Sequence, residues 1–189
     1  MVRRWPAAAP KFWLGLWLCL VPLAAAAAEF VFERVEVGLE GEFILVDADV
    51  RYDLSDAALE ALAHGVPLTF ELHVQLRRAD AWVWDKDVVE TRLRTVLRYH
   101  PLSTLYELRE LSSDGQQSFA TQEAALRALG SIRGFPVARL DRLEAGEEYK
   151  LQMHAFLDID ALPLPLRPRA YISPAWDLES ETWEWRLQP

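Results

Sequence analysis

Leu143 to Asp160 reads L-E-A-G-E-E-Y-K-L-Q-M-H-A-F-L-D-I-D. Leu143, Gly146, Tyr149, Leu151 and Met153 stand at the spacing of a tyrosine corner. In β-sandwiches such a corner opens a central strand, and its hydroxyl bonds back to the chain a few residues upstream. The alternation that follows predicts a strand from Tyr149 to Ile159, with Tyr149, Leu151 and Met153 on one face.

Upstream, further segments alternate in the same way. Phe30 to Leu39 places Val31, Glu33, Val35 and Val37 on one face and Phe32, Arg34 and Glu36 on the other. After the Glu40-Gly41 turn, Phe43 to Tyr52 gives Ile44, Val46, Ala48, Val50 and Tyr52 as a core face. Leu68 to Arg77 turns Leu68, Phe70, Leu72, Val74 and Leu76 inward. Val88 to Tyr99 is a strand rather than a helix, because its β-branched residues favour the pleat. Leu105 to Leu111 and Gln117 to Ala120 are hairpin arms around Asp114-Gly115, a strong turn pair. Two short helices interrupt the strands. One runs from Ser55 to His64, capped by Ser55, with Gly65 fitting the left-handed end; the other runs from Gln122 to Leu129, capped by Thr121 and ended by Gly130. Phe135-Pro136-Val137 reads as a short connection into the corner. The whole predicts a mainly β chain: an antiparallel, immunoglobulin-like β-sandwich with two short helices.

The N-terminus has the order of an export signal. Arg3, Arg4 and Lys11 are basic, Phe12 to Val21 is apolar, and Pro22 precedes small residues up to Ala28. Cleavage is expected after Ala28, leaving a single domain over 29–189. An uncleaved inner-membrane anchor is the alternative, although the apolar run is short for a span. Export would leave 161 of the 189 residues and remove three cations, so the net charge would become −12. Such an acidic chain does not suit nucleic acid. The one cysteine lies before Ala28, so the exported domain would stand without a disulfide.

The tail, Leu162-Pro163-Leu164-Pro165-Leu166-Arg167-Pro168, has three prolines without amide donors. It is expected to run extended, along an edge or over the surface. With Ala170-Tyr171, Ser173, Trp176 and the ending from Ser180 to Trp185, it resembles an uncharacterised bacterial family, domain of unknown function 4390. Leu97 to Leu102 and the helix from Ala124 to Gly130 are similar to that family's middle. The resemblance implies an exported protein of Gram-negative bacteria. It supplies no activity and no catalytic residue.

Candidate sites are sparse. Asp47 and Asp49, with Asp53 near, sit about 7 Å apart on one strand face and could take a calcium ion or act as an acid/base pair. No turn glycine frames them, which favours a plain solvent face. Asp158 and Asp160 repeat the spacing and better suit loop capping. His64, His73, His100 and His154 are dispersed, with no metal-ligand spacing. Trp183 and Trp185 share a strand face, as do Trp82 and Trp84. Core packing is their default, and an exposed pair would be a platform for a peptide, a glycan or a membrane edge. Arg92, Arg94 and Arg98 line one strand face, either as a platform for an anionic partner or as cross-strand partners of Glu71, Glu107 or Glu110.

The expectation is therefore a periplasmic, non-catalytic binding or accessory module that contacts an envelope protein and uses no cofactor. Its binding residues would be Arg167, Arg169, Tyr171 and Trp176, with Arg92, Arg94 and Arg98. Membrane contact is expected only if the N-terminal segment stays attached. The alternatives are a carboxylate-based hydrolase and a periplasmic input module for a membrane sensor kinase.

Overall fold

The computed structural model describes residues 29–80, 88–113 and 115–188. The expected signal segment, the Trp82 and Trp84 pair and Asp114 of the turn lie outside the described residues.

Two antiparallel sheets form the sandwich. One has three strands in the order β1 (Phe30–Glu40), β2 (Phe43–Tyr52), β7 (Ser131–Arg139). The other has six, in the order β6 (Gln116–Phe119), β5 (Leu105–Glu110), β4 (Val89–His100), β3 (Leu68–Arg78), β8 (Tyr149–Leu157), β9 (Trp183–Leu187). The core lies between them, built from the period-2 faces of β2, β3 and β8. Phe30, Tyr52 and Phe70 stitch the sheets together, with ring centroids 4.7 to 5.9 Å apart. Each ring is buried, and burying a side chain of this size contributes roughly 1.5 to 3 kcal/mol.

The tyrosine corner is present. Tyr149 is buried, and its hydroxyl accepts the Glu144 amide at 2.8 Å. The strand it opens stops at Leu157, two residues earlier than expected. Asp158 ends it by capping a 3-10 turn over Ile159–Ala161, accepting from the Ala161 amide.

Helix α1 (Asp56–Ala63) starts where Ser55 accepts the Ala58 amide, and Gly65 takes the expected positive φ of 79°. Helix α2 (Gln122–Gly130) is capped by Thr121. Gly130 is needed for another reason than a left-handed cap. It is buried against β2, and a Cβ there would lie 1.9 Å from the Val50 carbonyl oxygen.

Four expectations change. Phe135-Pro136-Val137 is part of β7 rather than a connection, and Pro136 is tolerated because β7 is an edge strand. The faces of β1 also differ. A bulge between Phe32 and Arg34 shifts the register, so Phe32 faces inward together with Val35 and Val37. The proline tail is not extended beyond Leu162. It turns at 163–166 and forms a third helix, α3 (Arg167–Ile172), followed by a 3-10 turn over Pro174–Trp176. Pro168 fits because the first helical turn needs no amide donor. Finally, Trp176 is buried, packed in the core beside α1, where Ser55 Oγ donates to the Ala175 carbonyl at 2.5 Å. Its ring is thus not part of a contact surface.

Candidate functional site

The arginine face of β4 is set by register. Pairing with β3 places Arg94 opposite Glu71 and Arg92 opposite His73. Glu71 is only 5% exposed, so its carboxylate needs cations beside it. Arg94 Nε lies 3.3 Å from it, and the same guanidinium also donates to Asp158. Arg92 approaches Glu71 at 3.5 Å and bonds Glu90 at 2.9 Å. Glu90 also meets His73 at 3.0 Å. Hydrogen bonds, first from Arg92 and then from His73, hold the Glu90 carboxyl below its ordinary range. Arg92 and Arg94 therefore neutralise the sheet's own carboxylates. Arg98 is different. It is exposed and has no ion-pair partner among the described residues, because Glu107, opposite it on β5, meets His100 at 3.0 Å.

The tail residues separate in the same way. Arg167 donates to the Leu162 carbonyl at 2.6 Å and fastens the turn into α3. The Tyr171 hydroxyl donates to Asp160, which raises its pKa, chiefly through that bond. Arg169 is exposed with no partner among the described residues. Beside it on the chain, Leu164, Tyr171 and Ile172 are 73%, 60% and 84% exposed. The structure brings the two arginine sets toward each other through one segment. Asp158 bonds Arg94 and caps the turn that carries Asp160, and Asp160 holds Tyr171.

The other candidates resolve into local contacts. Asp47 accepts the Gly134 amide at 2.6 Å, Asp49 pairs with Arg133, and Asp53 with Arg51. His73, His100 and His154 each meet a separate glutamate, and His64 meets the Glu60 carbonyl. No cluster of metal-ligating side chains occurs among the described residues.

One surface was only half legible in the sequence. A groove of about 720 Å³ borders β1 from Val35 to Glu40 and reaches over the outward face of the three-stranded sheet. Trp183 and Trp185 of β9 form its far wall, and Leu45, Asp47 and Gly134 complete it. Trp185 faces the same side of its sheet as buried Leu151, its register partner, yet is 38% exposed. The sandwich is open at this margin. The shared face of the two tryptophans was readable. What opens it is β1, and that depends on a strand order that no local pattern reveals.

The family described as domain of unknown function DUF4390 matches residues 27–186, and the chain belongs to it. No curated protein and no solved structure matches the chain.

Proposed function

We propose that the chain, a member of this family, is an exported, non-catalytic module of the cell envelope that binds a protein partner through the α3 segment. The observation that carries this reading is the exposure of Leu164, Tyr171 and Ile172 on one short stretch beside unpaired Arg169. Apolar side chains exposed together, with a cationic rim, have the make-up of a protein contact. The stretch is held firmly. Arg167 is tied to Leu162 and Tyr171 to Asp160, so little ordering entropy remains to oppose binding. Export is supported by the basic, apolar and small-residue order of the first 28 residues.

The test uses Ile172→Glu, which changes an exposed side chain and leaves the core alone. Tagged wild type and variant are recovered from a periplasmic fraction, and co-purifying proteins are compared. The expected outcome is a partner lost from the variant while stability stays within about 0.5 kcal/mol. The recovered wild type should have the mass of a chain starting at Glu29. Equal capture by both proteins refutes the contact surface, and a chain retained in the membrane with residues 1–28 refutes the cleaved form.

A further inference from the structure

Strand β1 is paired in a continuous ladder along one edge among the described residues. Its ladder runs to β2. On the other edge, among the described residues, only Phe30 is engaged, through a bridge to Ser180 and a bond from its amide to the Glu179 carbonyl. From Val35 to Glu40 that edge presents main-chain donors and acceptors with no proline among them. Such an edge is a template for another strand unless something blunts it.

The groove along this edge has two chemically different sides. On the inner side stand Val35, Val37, Trp183 and Trp185. On the outer side stand Glu36, Glu40 and Asp47, since Glu36 pairs in register with Asp47 and both turn away from the core. Glu36 is paired with Arg34 at 2.6 Å, and Asp47 has no ion-pair partner among the described residues. The Glu40 carboxylate has no partner among the described residues. Successive side chains of a strand point to opposite faces. An added strand would therefore present every second residue to the tryptophans and the others to the carboxylates.

We propose that the β1 edge takes up an extended segment of another protein as an additional strand, and that this segment alternates apolar and basic residues. Main-chain bonds to Val35–Glu40 give the affinity, and the two sides of the groove give the pattern. Six residues of strand span about 20 Å, and the groove volume falls in the usual range for ligand pockets, about 300 to 1,000 Å³. A second copy of this chain is a poorer occupant. Pairing β1 with β1 would bring the unpaired Glu40 side chains of two acidic chains to one seam. This surface is distinct from the α3 segment, and the inference stands without it.

The probe is a capped heptapeptide of alternating valine and lysine, titrated into the purified protein at low salt by calorimetry. Two control peptides accompany it: valine alternating with glutamate, and the valine–lysine peptide N-methylated on every residue. The expected result is saturable one-to-one binding of the first peptide, with slowed amide exchange in Val35–Glu40. Neither control should bind. Glu40→Lys should weaken binding about tenfold at low salt, since rim charges act through long-range attraction. Trp185→Ala should weaken it too, measured at a temperature where the variant is fully folded. Equal binding of the N-methylated peptide overturns strand addition, and equal binding of the glutamate peptide overturns the pattern. A dimer in sedimentation whose Val35–Glu40 amides are already protected from exchange and which excludes the valine–lysine peptide overturns the proposal in favour of a second copy.

Discussion

Strands β7 and β1 flank the same central strand β2, and they are finished in opposite ways. β7 is blunted. Pro136 removes one amide, and the β2–β7 register slips between Ile44 and Leu45 and again between Val46 and Ala48. Arg133 spends its guanidinium on the Ala48 and Ile132 carbonyls at 2.9 and 2.8 Å and on Asp49. Ahead of β7, the end of α2 presses against the Val50 carbonyl. β1 has a single bulge, at Phe32 and Arg34, and beyond it runs regularly beside a groove. Natural sheets protect edges with prolines, bulges and charges, because an open edge invites pairing. One sheet here carries both conditions. The comparison locates the free bonding capacity of this sheet at β1 and gives β7 the role of a sealed flank.

The same substitution at the two flanks should break or keep the fold. At Gly130 an added Cβ meets backbone at 1.9 Å, and neither partner is a flexible side chain. Gly130→Ala should cost about 3 kcal/mol or more, or prevent folding. At Gly38 on β1 a Cβ meets nothing within 4 Å, and the backbone is not in the left-handed region. Gly38→Ala should be neutral or stabilise by about 0.5 kcal/mol through a less flexible unfolded chain. Urea midpoints of the two variants decide. Equal losses would show that the β1 edge is packed as closely as the β7 side.

The groove's far wall, β9, hangs on β8, and Tyr149 at the start of β8 lies opposite Leu187. Its hydroxyl bond to the Glu144 amide fixes where β8 begins. Tyr149→Phe removes that bond and leaves the ring. The expected cost is about 1 kcal/mol, the net worth of one hydrogen bond, because exposed Glu144 can turn to water. A midpoint equal to that of wild type would take the corner out of the account of β9.

Sequence reasoning read the sandwich because its signals are local. The Tyr149 corner, the alternation of β2, β3, β4 and β8, and the Ser55 and Thr121 caps each act within a few residues. It missed α3 because proline was read as a breaker, when at the second helical position it costs nothing. Trp176 was misplaced for a related reason: with no third helix foreseen, nothing carried the tail back under α1. The arginines of β4 were found as a set, but only register shows that Glu71 claims two of them and leaves Arg98 alone. The groove was the least legible feature. It depends on β1 and β9 being edges, and strand order is a long-range property.

The smallest expected effect concerns how firmly β9 holds its side of the groove as pH falls. Glu184 on β9 takes bonds at 2.6 Å from the Lys150 ammonium and from the Gln152 amide, both on β8. Those bonds, the Lys150 one first, hold its carboxyl below the ordinary range. The folded pKa is depressed, so the contribution to stability is complete above the unfolded pKa and is lost as pH falls through the folded one. Between the two values the unfolded chain binds the extra proton, and acid therefore favours it. The effect is small because the pair is exposed and solvent screens it. Urea midpoints should fall as pH drops below about 4, and Glu184→Gln should flatten a small part of that slope while changing little near neutrality. Gly38→Ala, at the opposite wall, should leave the slope as it is. If Glu184→Gln and wild type lose stability in parallel, β9 is held by its main-chain ladder and by Trp183 and Leu187 against the core, and the Lys150 contact is decoration on a wall that stands without it.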